Sequence, residues 1–175
     1  DEFLVSDAGT IKRVDYSYIK GGGITMSDNW RVTTSFTGNA DPISSNWERN
    51  DTAPCLSYLG SQMTESSGVF TFPSTGIYLI HFHGNVQKGG SDYIVGQIRT
   101  TTNNSTYDVA SYGVTFSDGS SRYGSFDCFF QFDVTDTSTH KCAFYQYKQS
   151  GNQVSLLGDT TRNDTHFTFL RLGDT

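Results

Sequence analysis

Three histidines carry the clearest chemical signal in the sequence. His81 and His83 stand two residues apart in Ile77-Tyr78-Leu79-Ile80-His81-Phe82-His83, and His166 opens the run His166-Phe167-Thr168-Phe169-Leu170. In an extended chain alternate side chains share a face, so His81 and His83 point the same way as Ile77 and Leu79, and His166 the same way as Thr168 and Leu170. Imidazole is the commonest transition-metal ligand and titrates near neutrality. Gathered on one surface, such rings either hold a Zn, Ni or Fe ion or pack as neutral, hydrogen-bonded groups in an interface. In both cases charging them below about pH 6 opposes the assembly.

The sequence offers little reactive chemistry beside this. It contains no G-x-S-x-G elbow, no H-E-x-x-H, no glycine-rich phosphate loop followed by Lys and no C-x-x-C pair. Asp92, Asp108, Asp118, Asp127 and Asp133 fall in or beside loops where a fold could pair two of them as acid and base. Scattered surface acids are the commoner outcome, and the expectation is a protein that is not an enzyme. Cys55, Cys128 and Cys142 are odd in number, without metal-like spacing, and read as buried thiols. A rival reading pairs Cys128 with Cys142 across a hairpin centred near Thr135.

The elements that position these residues read as strands. Charged residues are only 17% of the chain while aromatics reach 14% and glycines number 18, which fits β-structure with many turns and excludes a helical bundle. Period-two alternation places Trp30, Val32, Thr34 and Phe36 on one face, and further strands are expected over Gly76 to Val86, Tyr93–Thr100, Tyr107–Phe116, Tyr123–Val134, His140–Gln149, Gln153–Leu157 and Thr165–Leu172. Turns are expected at Ser74-Thr75-Gly76 and at Lys88-Gly89-Gly90. The fold class is therefore all-β, an antiparallel sandwich or barrel. At 175 residues one domain is the default, read as an N-terminal arm or connector over residues 1–23, ending in Gly21-Gly22-Gly23, and a head over 24–175.

Three strands are apolar on both faces. Tyr78, Ile80 and Phe82 oppose Ile77, Leu79, His81 and His83; Phe167 and Phe169 oppose His166, Thr168 and Leu170; Phe126, Cys128, Phe130 and Phe132 oppose Phe129 and Gln131. A sandwich buries one face of each sheet, so the second requires a cover, and without helices that cover is expected to be another copy of the chain.

The run Gly68-Val69-Phe70-Thr71-Phe72-Pro73-Ser74-Thr75-Gly76-Ile77-Tyr78-Leu79-Ile80 resembles the G-x-F-x-x-P-x-x-G-x-Y-x-x signature of the tumour necrosis factor and complement-q globular head superfamily. The stretches Phe129-Phe130-Gln131-Phe132, Asn152-Gln153-Val154-Ser155-Leu156 and His166-Phe167-Thr168-Phe169-Leu170 are similar to its closing strands, so the resemblance spans roughly Trp30 to Leu172. It implies a ten-stranded jelly-roll sandwich and a homotrimer with Ile77, Leu79, His81, His83, Phe129, Gln131, His166, Thr168 and Leu170 at the interface. It also implies that His81 and His166 face the three-fold axis, where a transition metal held by His81, His83 and His166 would sit. Complement-type heads sometimes carry calcium, for which Asp118-Gly119-Ser120 or Gly158-Asp159-Thr160 would supply oxygens.

Separately, Phe3-Leu4-Val5-Ser6-Asp7-Ala8-Gly9-Thr10-Ile11-Lys12-Arg13-Val14-Asp15 resembles connector segments that precede C-terminal heads in bacteriophage tail-fibre and other virion proteins. The two resemblances imply the trimeric head of a phage structural protein, joined to the virion fibre through the N-terminal arm and binding a host-surface glycan or protein receptor. The alternatives are a secreted, extracellular complement-q or cytokine-like ligand for a protein receptor, or a purely structural trimerisation head. Receptor contacts are expected from loop aromatics and arginine, namely Trp47, Tyr58, Tyr107, Tyr112, Arg122 and Tyr123. A net charge of -6 with Lys and Arg totalling 12 argues against nucleic acid as a partner. No apolar run is long enough to span a bilayer; the start Asp1-Glu2-Phe3-Leu4 has no leader-like composition and, lacking Met, reads as the beginning of a fragment. The sequons at Asn50, Asn103, Asn104 and Asn163 matter only in a eukaryotic secretory pathway.

Overall fold

Alternating apolar side chains can be buried together only if the chain is extended and a second layer covers them. The computed structural model, which describes residues 2–15, 23–53, 58–148 and 153–175, solves this with twelve strands and, among the described residues, no helix. They are β1 (Glu2–Asp7), β2 (Thr10–Asp15), β3 (Met26–Val32), β4 (Phe36–Thr37), β5 (Trp47–Arg49), β6 (Thr64–Ser66), β7 (Val69–Thr71), β8 (Gly76–Thr101), β9 (Asp108–Val134), β10 (Lys141–Lys148), β11 (Gln153–Leu156) and β12 (His166–Gly173). Cys55 and Gly21-Gly22 lie outside the described residues.

Among the described residues strands β1 and β2 pair only with each other, as an antiparallel hairpin whose turn residues Ala8 and Gly9 both have positive φ, 48° and 84°. That double positive φ matches the right-handed twist of a two-residue hairpin, and glycine takes its share of it without strain. The remaining strands run β5-β3-β12-β8-β10-β7-β6, with β9 beside β8 and β11 between β4 and β8.

Long ribbon strands replace the four short ones expected over residues 76–134. The turn expected at Lys88-Gly89-Gly90 is absent: β8 passes straight through with a register shift at Lys88/Gly89, and β9 follows it along its length. The first part of β8 pairs with β12 and its later part with β10. A bulge bends a strand and lets it leave one sheet for another, so the β8–β9 ribbon serves both layers. The inner layer holds β5, β3, β12, the start of β8 and the end of β9; the other holds β6, β7, β10 and the opposite ends of the ribbon.

Phenylalanines fill the space between the layers. Phe144 of β10 meets Phe167 of β12 at 4.3 Å between ring centroids, Phe70 of β7 meets Phe169 of β12 at 5.3 Å, and Phe82 stacks on Phe167 at 4.6 Å. Phe126 fills a slot that only glycine leaves open, because a Cβ on Gly84 or Gly96 would stand 2.2 or 1.9 Å from its ring. Cys128 and Cys142 are free, buried thiols, and the Cys128 Sγ–H donates to the Gly96 carbonyl at 3.2 Å. The alternative disulfide fails on topology: Cys128 pairs with Phe82 of β8, whereas Cys142 pairs with Thr100 and Phe70, so β9 and β10 form no hairpin about Thr135. Burial pushes the Cys128 thiol up to about 12, which keeps it protonated and unreactive.

Candidate functional site

The inner sheet turns one face to the phenylalanine core and leaves the other half-buried to exposed among the described residues. On the outer side Ile77, Leu79, His81, His83, His166, Thr168 and Leu170 are half-buried, while Gln131 and Phe129 are exposed. Antiparallel registers then order this face into rows. Leu170 is paired with Leu79, which is paired with Gln131, and one row further Asn29, Thr168, His81 and Phe129 line up. The third row is polar across five strands: Glu48 of β5, Arg31 of β3, His166 of β12, His83 of β8 and Asp127 of β9. The face is thus graded from aliphatic at one end to ionisable at the other.

Asp127 gathers the histidines. His81 Nε2 is 2.8 Å and His83 Nδ1 2.9 Å from the same oxygen, Asp127 Oδ1. The other His83 nitrogen, Nε2, is 3.2 Å from Asn85 Oδ1. The His81 ring is held flat by Phe129, stacked at 4.2 Å with planes 2° apart. Partial burial of Asp127 works upward on its carboxyl, but the hydrogen bonds from His81 and His83 outweigh it and hold the group below the usual carboxylate range.

His166 joins the cluster as a neighbour. Its ring centroid is 4.9 Å from that of His83 and 5.8 Å from that of His81. Burial, reinforced by the two adjacent imidazoles, pushes it down to about 4, so it is neutral near pH 7. The three donors that converge within 4.8 Å of one another are His81, His83 and Asp127. Among the described residues Asp127 thus joins His81 and His83 within one chain, with His166 beside them. The signal for Asp127 was parity, since it falls on the same face as Phe129, but its place opposite His83 depends on a strand register that spacing does not reveal.

The expected receptor contacts divide. Trp47 is drawn into the core edge, its ring 4.5 Å from Phe167 and 4.9 Å from Phe70 and its indole N–H donating to the Ile43 carbonyl at 3.0 Å. Trp47 is half-buried, with part of its surface committed to these contacts. Tyr107 is half-buried and burial raises its phenol. Tyr58, Tyr112 and Tyr123 are exposed, and Tyr112 continues along β9 into Val114 and Phe116, the last 79% exposed. The side chains of Arg122, Asp92 and Asp118 lie outside those described. Asp159 Oδ1 accepts from the Thr161 N–H and hydroxyl and from the Arg162 N–H, each at 2.7 to 3.1 Å, so this oxygen closes its own loop.

No family model and no curated protein sequence matches the chain. Its architecture, however, is similar to solved structures. Eiger TNF from S. frugiperda superposes with a TM-score of 0.65 at 14% identity over 87% of this chain and 96% of that one. Murine APRIL at pH 5.0 superposes at 0.60 with 12% identity, and at pH 8.5 at 0.58 with 11% identity, each over 84% of this chain and 98% of the other. At these identities the likeness is one of fold: the chain is a TNF-like antiparallel jelly roll.

Proposed function

We propose that this jelly roll is the recognition head of a homotrimer that binds a protein receptor outside the cell. One observation carries the reading: the outer side of the inner sheet presents Ile77, Leu79 and Leu170 half-buried and Phe129 exposed, an apolar row open to water. Removing such surface from water is worth roughly 25 cal/mol per Å², and cyclic closure about that face covers it on every copy. The TNF-like fold supports the trimer that the sequence resemblance implies.

The receptor surface is the stripe Tyr112, Val114 and Phe116 along β9, with Tyr123 beyond it, all exposed. Val114 and Phe116 make the middle of the stripe apolar, and a contiguous apolar and aromatic patch is the mark of a protein-binding surface. The role is binding, with no chemistry asked of the site. A second reading, the head of a virion appendage, is favoured by the β1–β2 hairpin, which among the described residues pairs with no strand of the head.

Absolute mass by light scattering tests the core of the reading. Three chains per particle are expected, and Leu79→Lys, which buries a charge at the interface, is expected to yield folded monomers. A monomeric parent chain would overturn it. With the trimer intact, Tyr112→Ser combined with Phe116→Ser is expected to abolish saturable binding to animal cells without changing the mass. Binding confined to bacterial cells would transfer the assignment to the virion reading.

A further inference from the structure

The structure assigns a first-row divalent metal site, with zinc as its reference ion, to His81 Nε2, His83 Nδ1 and Asp127 Oδ1 within a single chain. The three atoms already lie within 4.8 Å of one another. Around a tetrahedral zinc with bonds of about 2.0–2.2 Å, ligand atoms stand roughly 3.3 Å apart, so the two contacts to Asp127 at 2.8 and 2.9 Å would lengthen by a few tenths of an ångström, while the two imidazole nitrogens stand within 4.8 Å of each other across the same oxygen. Two imidazoles and one carboxylate on one side of an ion leave further positions open, the donor set of a three-ligand site.

Hydrogen accounting points the same way. Asp127 Oδ1 and Asn85 Oδ1 are both acceptors facing His83, one at each ring nitrogen, so both nitrogens must carry a hydrogen for both bonds to form. With a cation between Nδ1 and Asp127, a single hydrogen on Nε2 donating to Asn85 is enough. The bond from His83 Nε2–H to Asn85 Oδ1 then sets the tautomer that bares Nδ1, as outer partners of metal-bound histidines do. On the other side Phe129, stacked on His81, fixes the second ring, and the β8–β9 register holds the donors on adjacent strands, one of which supplies both imidazoles. His166 lies outside the donor set and fills the wall beside it.

Because all three ligands come from one chain, the inference stands apart from the trimer reading, and light scattering on the same samples reports that separately. The full chain is titrated with zinc chloride by calorimetry near pH 7.5 and, in parallel, with cobalt(II), whose visible absorption reports nitrogen and oxygen ligands. About one ion per chain is expected, with a cobalt band that zinc displaces. Asp127→Asn and His83→Gln are each expected to weaken binding roughly tenfold or more while the far-ultraviolet dichroism is unchanged, and His140→Gln, remote from the cluster, is expected to leave it intact. Absence of both zinc heat and cobalt band in the parent chain would overturn the assignment, as would zinc binding that Asp127→Asn and His83→Gln both leave unaltered.

Discussion

The inner sheet carries a carboxylate cluster on each of its faces, and the two behave as opposites. On the core side Asp28 is fully buried and accepts from the Trp30 indole N–H at 3.0 Å, the Met63 backbone N–H at 2.9 Å and Arg49 Nε at 3.1 Å. The Arg49 guanidinium also lies over the Trp30 ring, 4.4 Å from its centroid. Partners from β3, β5 and the segment before β6 therefore enclose Asp28, and no room is left for a guest. On the outer side the Asp127 side chain is 46% exposed and both imidazoles converge on one of its oxygens. A charge enclosed on every side ties strands together, whereas a charge held from two sides at a surface keeps the capacity to bind.

Removing the enclosed carboxylate is the most damaging test of that contrast. Asp28→Ala strands the Arg49 charge against the core, and loss of one member of a buried pair typically costs about 3–5 kcal/mol. Urea unfolding is expected to show a drop of that size, with zinc affinity unchanged wherever the variant remains folded. Replacing the pair together, Asp28→Leu with Arg49→Met, is expected to recover much of the loss. A single variant as stable as the parent would show that the buried pair does not hold β3 to β5.

The next effect is a pH slope arising at the outer face, smaller because water still reaches part of the ring concerned. His166 has its folded-state pKa pushed down to about 4 by burial, from an ordinary value of 6.5. Between those values the unfolded chain binds the proton and the folded chain does not, so stability falls as pH drops from about 6.5 to about 4 and the loss is complete below that. The groups facing His166 are His83 and His81 on β8, Asp127 beyond them and Arg31 across β3. His166→Gln is expected to flatten the slope of the thermal midpoint in that window, and an unchanged slope would place the responsible titration elsewhere.

Much of this contrast was legible in the alternation of residues. Phe167 and Phe169 against His166, Thr168 and Leu170 gave the two faces of β12 correctly, because side-chain direction in a strand is a matter of parity. Register is not, and so the polar row from Glu48 through Arg31 and His166 to His83 and Asp127 was invisible: it joins residues that no local spacing relates. The Lys88-Gly89-Gly90 turn was misread for a similar reason. Glycines mark both turns and the irregularities that carry a strand from one sheet to the next, and only the pairing partner distinguishes them. The packing of Trp47 was equally invisible: it stands between Asn46 and Glu48 in sequence, and only the fold brings Phe70 of the opposite layer and Phe167 of its own layer against its ring.

The smallest stability effect belongs to the residue with the largest expected effect on binding. Asp127→Asn keeps the size of the side chain and removes a half-exposed charge, so the cost in urea unfolding is expected to stay below about 1 kcal/mol, the range of surface ion pairs. Its pH signature is separable from that of His166. The Asp127 carboxyl is held below its ordinary value of 3.8 by His81 and His83 against an upward push from burial, so its contribution is present above that pH and is lost only as the solution becomes more acidic. The substitution is expected to remove the part of the acid limb below about pH 3.8 and to leave the slope above pH 4 in place. A loss of several kcal/mol at neutral pH would instead put Asp127 in the same class as Asp28, and the two faces of the sheet would then differ in exposure but not in role.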